Sequence, residues 1–277
     1  MLIGTSLSIF SRAETGGLSL SVRFEQSVPP PSSWPDPQAD GSRVRVYIIR
    51  IVAWGLSGKD LHIWRIALER DEAEVRSLRP LLSQTELDRA ARFRFEKDRR
   101  HYLAAHTILR KLLLEYLQWQ PAPFDFQYGT EGKPCIPTSE LRFNLSHSGE
   151  VALAAFTLSH ELGVDVERIR EGVNDEGIAQ RFFSSSEAAA LLALPEDQRD
   201  RAFFRIWTRK EAYVKARGGG LTIPLDSFDV SVHPDKAELL RASDRNRWTM
   251  FHLEAGPGYC AAAVTEAGVD SVRMFSA

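Results

Sequence analysis

The stretch Gly163-Val164-Asp165-Val166-Glu167 decides how the middle of this 277-residue chain folds. In a strand, side chains alternate between two faces, so the two valines enter the core while Asp165 and Glu167 project together from the other face. Two carboxylates this close raise each other's pKa unless a cation joins them, and Mg²⁺ prefers such oxygen ligands. The pattern predicts a strand that carries either a metal site or an acidic solvent face with Arg168 as its counter-ion.

The elements on either side mix helices with strands and show no regular βαβ rhythm, which favours an α+β fold. Apolar residues at a 3.6-residue period predict a helix over 97–117, and another helix over 201–217 ends at Gly218-Gly219-Gly220. The capping boxes Ser83–Glu86 and Ser184–Glu187 each open a further helix. Strands are predicted at 61–66, 141–145, 151–156, 163–167, 228–232, 248–253 and 259–264.

Composition narrows the class of protein. With 43% hydrophobic residues, 26% charged residues and a net charge of −2, the chain buries a core and has no overall field that attracts nucleic acid or a membrane. Cys135 and Cys260 are too few for a disulfide scaffold, which favours a reducing compartment. No apolar run reaches the roughly 18 residues of a membrane span, and the N-terminus lacks the features of a signal peptide. We therefore expect a cytoplasmic protein that partners neither nucleic acid nor membrane.

The first 42 residues differ from the rest of the chain. The segment 28–37 contains five prolines, which cannot sustain a helix or an inner strand because proline lacks the backbone N–H and fixes φ. We predict that residues 1–42 are a disordered tail, or translated sequence upstream of the true start.

A second chemical signal lies in the helix that contains Trp207-Thr208-Arg209-Lys210-Glu211-Ala212-Tyr213-Val214-Lys215. Glu211 and Lys215 are four residues apart and share a face that borders an apolar stripe. A partly buried carboxylate beside an ammonium suits a further metal ligand next to a phosphate-binding cation. The alternative is an ordinary Glu–Lys pair that stabilises the helix by about 0.2–0.5 kcal/mol.

Two turns and a basic run add weaker signals. Phe143-Asn144-Leu145-Ser146-His147-Ser148-Gly149 runs into a polar turn that can hold phosphate oxygens, although a plain turn explains it equally well. A hydrolase pair of Ser146 and His147 is disfavoured, because neighbours on an extended chain point to opposite faces. The loop Tyr128–Pro134 exposes backbone N–H groups near a lysine and by itself indicates only a turn. Arginines and a lysine between residues 89 and 100 predict a solvated basic helix face.

Taken in order, these pieces (G-K-P, F-N-L-S-H-S, G-V-D-V-E, F-F-S-x-x-E, and W-x-x-K-E-A-x-x-K followed by glycines) resemble the Sfp-type 4′-phosphopantetheinyl transferases. The resemblance spans roughly residues 61–232. It implies two similar, pseudo-symmetric α+β halves, residues 43–157 and 158–277, with the active site between them.

The resemblance also implies an activity. The family transfers the phosphopantetheine arm of coenzyme A, with Mg²⁺, to a serine of an acyl or peptidyl carrier protein and releases adenosine 3′,5′-bisphosphate. It implies Asp165, Glu167 and Glu211 as metal ligands and Lys215 as a contact to the pyrophosphate. Residues implied in coenzyme binding are Arg89, Tyr128, Gly129, Thr130, Glu131, Gly132, Lys133, Asn144, Leu145, Ser146, His147, Asp165, Glu211 and Lys215. Relatives of this design are usually monomers.

The carrier serine needs a proton acceptor within hydrogen-bond reach. Glu211 is the first candidate, directly or through a metal-bound water, and Glu187 is the second, although its capping box gives it a structural alternative. Together with Lys215 and His147, these residues form the implied catalytic set. Carrier contacts are expected at the helix after Ser83, around Phe182-Phe183 and at the arginines of residues 89–100. Two rival functions remain open: a Mg²⁺-dependent nuclease or phosphatase that uses the same acids, and a non-catalytic carrier-binding protein.

Overall fold

The computed structural model describes residues 9–10, 21–22, 53–118, 124–137, 139–172 and 177–277. The chain divides into two compact units, Met1–Ile48 and Ile49–Ala277. In the first unit, β1 (Ile9–Phe10) pairs antiparallel with β2 (Ser21–Val22). The rest of the predicted tail over residues 1–42 lies outside the described residues, so its disorder stays a prediction.

The second unit alternates helices with strands, which confirms the α+β prediction. Its helices are α1 (Glu72–Leu78), α2 (Gln84–Ala91), α3 (Glu96–Leu117), α4 (Ile178–Phe182), α5 (Ser185–Leu192) and α6 (Glu196–Arg217). Its strands are β3 (Asp60–Ala67), β4 (Gln127–Tyr128), β5 (Pro134–Cys135), β6 (Leu141–Ser148), β7 (Val151–Leu158), β8 (Leu162–Arg168), β9 (Asp229–Val230), β10 (Leu239–Arg241), β11 (Trp248–Leu253), β12 (Tyr259–Glu266) and β13 (Ser271–Ser276). Within the described ranges, no helix combines the length and the apolar character that a bilayer crossing requires.

Two sheets form the frame of this unit. One has the strand order β13-β3-β7-β6 and the other the order β11-β12-β8, so β6 and β8 are each the last strand of their sheet. Strand β13 runs parallel to β3, whereas the other pairs in both sheets are antiparallel. This parallel pairing brings the C-terminal strand back to the first strand of the unit.

Each sheet is buried on both faces. Helix α3 packs its apolar side, including Leu112 and Tyr116, on one face of the four-stranded sheet. The three-stranded sheet packs against α6 in the same way, through residues such as Ala212. The remaining face of each sheet meets the other in a third core, whose members include Ile63, Leu153, Val164 and Ala263. The order of layers is therefore helix, sheet, sheet, helix.

Local sequence signals account for the helix ends. Both predicted capping boxes are confirmed: the hydroxyls of Ser83 and Ser184 accept from the backbone N–H groups of Glu86 and Glu187, whose carboxylates bond back. Helix α6 stops at Gly218, whose φ of 67° is left-handed and suits glycine. The structure starts α6 at Glu196, five residues before the predicted position 201, with Pro195 as its N-cap residue. In this unit, helices α1 and α4 and strands β4, β5, β10 and β13 were not predicted.

Candidate active site

Strand β8 carries the two carboxylates that dominate the sequence motif. Val164 and Val166 are buried in the core between the sheets, so the predicted alternation is confirmed. Asp165 is 3% exposed and Glu167 is half-buried on the opposite face, where β8 packs against α6. The strand therefore turns both acids toward that helix.

Helix α6 rests directly on β8 at Gly163. A Cβ atom at this position would lie 2.1 Å from the carbonyl oxygen of Ala212 and 2.4 Å from the backbone nitrogen of Ala216, distances that no side chain tolerates. Glycine is thus needed here for close approach of two backbones. The contact sets the height at which Glu211 and Lys215 stand over the acids of the strand.

Lys215 crosses from α6 to the strand. Its Nζ donates to Asp165 Oδ1 at 2.7 Å, to Ser146 Oγ at 3.0 Å and to the Val164 carbonyl at 3.3 Å. Ser146 Oγ in turn donates to Asp165 Oδ1 at 2.8 Å. A simple Glu211–Lys215 surface pair, one of the sequence-based alternatives, is therefore wrong: the lysine pairs with an aspartate 50 residues away.

Unused oxygen ligands remain beside this ion pair. Asp165 Oδ2 is buried and has no hydrogen-bond partner among the described residues. Glu211 is half-buried, and among the described residues its carboxylate takes part in no hydrogen bond or ion pair. A buried carboxylate oxygen without a donor is costly, and a hard cation would satisfy it. The donor set thus fits Mg²⁺.

The crowding of acids is also seen in the raised pKa values of Glu211 and Glu167. Burial raises the pKa of Glu211, and the charges of Asp165 and Glu167 raise it further against the effect of Lys215. Burial also raises the pKa of Glu167, with a further contribution from Asp165. Across the described residues, no three His, Cys, Asp or Glu side chains gather as a ready metal centre. The three-acid metal site therefore stays a prediction.

Side chains of the N-L-S-H-S segment join the edges of the two sheets. Asn144 Oδ1 accepts from the Val164 backbone N–H at 2.9 Å, and Ser148 Oγ donates to Glu167 Oε2 at 2.6 Å. With Ser146 between them, alternate residues of β6 bridge to β8 where no backbone ladder connects the two strands. Asn144 and Ser146 therefore use their polar groups inside the protein, and their predicted coenzyme role stays a prediction.

His147 lies on the other face of β6, between the two bonded serines, and its side chain is exposed. The opposite orientations of Ser146 and His147 confirm the reason for disfavouring a hydrolase pair. Desolvation by surrounding protein, then the nearby His106 and Lys215, lower the pKa of His147. The half-buried Leu145 packs on the core under α3.

The loop Tyr128–Lys133 forms a tight turn in which the Gly129 N–H donates to the Lys133 carbonyl at 2.9 Å. Lys133 Nζ donates to Glu161 Oε2 at 2.7 Å, to the Leu162 carbonyl at 2.9 Å and to the Ala216 carbonyl at 3.3 Å. The lysine thus faces the protein, whereas the Tyr128 ring is 52% exposed.

Glu187 is buried and saturated with donors. Its Oε1 accepts from the Val230 N–H at 2.7 Å, and its Oε2 accepts from the Ser184 N–H at 3.0 Å and from Lys210 at 2.7 Å. Lys210 has no exposed surface, and Glu187 has 2%. A proton acceptor for a substrate needs a free, reachable oxygen. These contacts favour the structural alternative, and the catalytic role of Glu187 stays a prediction.

Arg89 lies at the outer surface of α2. It lines an open depression of about 550 Å³ together with Arg92, and its guanidinium stands 5.9 Å from the centre of the Tyr102 ring. Tyr102 stacks on His106 at 4.0 Å. His106 Nδ1 lies 3.0 Å from Glu86 Oε1, so a buried acid anchors this group.

Sequence reasoning missed several residues that build the site. Ser148 and Gly163 stood inside quoted motifs, and alternation along β6 was the available signal for Ser148. Glu161 and His106 carried no local signal, because their partners Lys133 and Glu86 are distant in sequence. Only the folded chain shows these contacts.

Comparison with known proteins agrees with this geometry. A family model described as the 4′-phosphopantetheinyl transferase superfamily matches residues 161–264, and one described as 4′-phosphopantetheinyl transferase, N-terminal, matches residues 69–158. The matched ranges include β6 and β7 of the four-stranded sheet and β8 with its two acids.

Three relatives share most of their length with this chain. The 4′-phosphopantetheinyl transferase HetI of a Nostoc species is 37% identical over 217 residues, which are 77% of this chain and 90% of the relative. The transferases ffp and Sfp of Bacillus subtilis are 32% and 31% identical, each over 72% of this chain and 89% of their own length. The protein is therefore a transferase. It belongs to the 4′-phosphopantetheinyl transferase family.

Proposed function

We propose that this protein transfers the 4′-phosphopantetheine arm of coenzyme A to a serine of an acyl or peptidyl carrier protein and releases adenosine 3′,5′-bisphosphate. The family supports the reaction class. The observation that carries the proposal is the Asp165–Lys215 ion pair with the unpartnered Oδ2 of Asp165 beside it. Cleavage of a diphosphate needs such opposed charges more than it needs covalent help from the protein.

Asp165, Glu167 and Glu211 would hold Mg²⁺, which supplies charge neutralisation at the diphosphate when it is bound. Lys215 stands at the same point with a cationic Nζ held by Ser146, and it stabilises the negative charge that grows on the departing bisphosphate. Ser146 orients this lysine, and Gly163 lets its helix come close enough for the contact.

Glu211 accepts the proton of the carrier serine. In the protein without metal, burial and the charges of Asp165 and Glu167 raise the pKa of Glu211, so its carboxylate is a stronger proton acceptor than an ordinary one. It has no partner among the described side chains that would compete for its oxygens. Glu187 lacks this freedom because it is buried and bound by Lys210.

The nucleotide end of coenzyme A lies along α2, the loop of residues 128–133 and His147. The exposed His147 ring reaches the 3′-phosphate as a neutral hydrogen-bond donor, because its pKa is lowered, and Arg89 supplies a cation on the outer side. The backbone N–H groups of Thr130 and Glu131 and the exposed Tyr128 ring flank the adenine. Cations and backbone donors of this kind suit a phosphate group.

We also propose that residues 43–157 and 158–277 are two similar halves. A shared device supports this: each half has a capping-box glutamate that is buried against a cation of a 22-residue helix. Glu86 pairs with Arg110 at 2.9 Å and Glu187 with Lys210 at 2.7 Å. Each cation is the fifteenth residue of its helix. The protein acts as a cytoplasmic monomer whose partners are coenzyme A and a carrier, with neither nucleic acid nor membrane.

The test is incubation of the protein with apo-carrier, coenzyme A and MgCl₂, followed by mass spectrometry of the carrier. We expect the mass increment of phosphopantetheine on the carrier serine and its loss when EDTA is added. A parallel incubation with DNA and a phosphate monoester addresses the nuclease or phosphatase alternative. Carrier that keeps its apo mass while DNA is cut would refute the proposal.

A further inference from the structure

We propose that Lys133 is a positioning residue: it ties the C-terminal end of α6 to the start of β8 and so holds Lys215 over Asp165, instead of binding the coenzyme. The inference rests on the proposed transferase function and gives Lys133 a positioning role in place of the coenzyme-binding role that the resemblance implies. It arises from the three acceptors around Nζ, which belong to two elements of the site.

The donors of Lys133 are fully used. An ammonium group has three N–H donors and no acceptor, and the structure gives it three acceptors: one Glu161 oxygen, the Leu162 carbonyl and the Ala216 carbonyl. Its side chain is 18% exposed. A phosphate that took one of these donors would leave a protein acceptor without a partner.

Two of the three acceptors are fixed backbone groups. The Ala216 carbonyl lies in the last turn of α6, where helix carbonyls lack a partner within the helix, and a lysine there also favours the helix dipole. The Leu162 carbonyl belongs to the first residue of β8. Glu161 is itself anchored, because it accepts from Arg142 Nε at 3.1 Å and its N–H donates to Glu266. Lys133 therefore bridges two elements at defined points.

The bridge lies next to the closest contact between these elements. Gly163 follows Leu162 directly, and a Cβ atom on it would reach within 2.4 Å of the Ala216 nitrogen. Lys133 thus links the end of α6 to β8 by hydrogen bonds next to the close backbone contact at Gly163. Lys215 is the residue before Ala216, so a shift of this turn moves its Nζ relative to Asp165.

Lys215 also has three acceptors, but only one of them, the Val164 carbonyl at 3.3 Å, is a backbone group. Its shortest bond goes to Asp165, a carboxylate proposed to hold the metal, and another goes to the hydroxyl of Ser146, which can rotate. Lys215 can exchange these partners for a diphosphate. Lys133 cannot exchange two backbone carbonyls at element ends without releasing the helix.

The first experiment separates positioning from phosphate binding by comparing coenzyme A with 3′-dephospho-coenzyme A. For Lys133→Met we expect kcat to fall about 10- to 100-fold with both substrates, since a misplacement of about 1 Å costs a factor near 10². The ratio of kcat/KM for the two substrates should stay within about two-fold of the unmodified protein. His147→Ala serves as the contrast, because loss of a 3′-phosphate contact collapses this ratio. A collapsed ratio in Lys133→Met with unchanged kcat would overturn the inference.

The second experiment needs no activity, so it separates failure of this inference from failure of the proposed function. Amide hydrogen exchange of the α6 peptide that ends at Gly218 is compared between the unmodified protein and Lys133→Met, with Lys236→Met as the control at an exposed lysine. We expect at least ten-fold faster exchange in the last turn of α6 for Lys133→Met and Gly163→Ala, and no change for the control. Unaltered exchange in Lys133→Met would show that no tether exists.

Discussion

Replacement of Glu187 by glutamine separates the structural from the catalytic interpretation of this acid. The change keeps the shape of the side chain and an acceptor for the Val230 N–H, but it removes the charge that faces Lys210 at 2.7 Å. Because neither side chain of the pair is more than 2% exposed, an uncompensated ammonium then remains in the core.

The structure sets the size of the effect. Removal of one partner of a buried ion pair costs about 3–5 kcal/mol, a large part of the roughly 5–15 kcal/mol that stabilises a folded protein. For a unit of this length, that corresponds to a fall in Tm of about 6–20 °C. Burial already lowers the pKa of Lys210, so loss of Glu187 lowers it further. A lysine with a depressed pKa destabilises the fold most at low pH, and the defect should shrink as pH rises.

The assay combines urea unfolding at pH 7 and pH 9 with carrier modification at a temperature at which both proteins are folded. We expect Glu187→Gln to be less stable, more so at pH 7, with kcat within three-fold of the unmodified protein. The double variant Glu187→Gln/Lys210→Met removes both charges and should recover part of the stability. Unchanged unfolding together with a kcat reduced by about 10² or more would refute the reasoning and make Glu187 the base.

Three further perturbations test other parts of the molecule. Glu211→Gln should lower kcat by about 10²–10⁴-fold and leave the coenzyme A KM within a few-fold. Carrier modification followed by mass spectrometry measures this loss, and a kcat within three-fold of the unmodified protein contradicts the assignment. Burial lowers the pKa of His62 to about 4, so the folded protein keeps it neutral and loses stability as pH falls below the unfolded value of about 6.5. In His62→Phe, the decrease in the free energy of unfolding between pH 6.5 and 5 should be smaller by about 2 kcal/mol, measured by urea unfolding. An unchanged decrease would show that another group causes it. Reversal of charge at the exposed Arg92 and Arg94 should raise the carrier KM and weaken its dependence on salt, because charges at the edge of an interface mainly speed the association of the two proteins. An unaltered KM would contradict a carrier-binding surface at these arginines.

Much of the fold follows from short-range patterns. The alternation at 163–167 places Val164 in the core and Asp165 outside it, because a strand repeats every two residues. Capping boxes and a terminal glycine mark helix ends through bonds within one turn, so they are readable from a few letters. The β13 strand escaped detection because its exposed positions leave little apolar alternation.

The sequence by itself determined which side chains carry charge, which strand and helix present them, and which family the chain belongs to. Only the tertiary structure decided that Lys215 pairs with Asp165 instead of Glu211, that Glu187 is closed off by Lys210, and that Lys133 points into the protein. The physical reason is separation along the chain. Bonds within one turn or strand are set by backbone geometry, whereas partners from different elements are set by how sheets and helices pack.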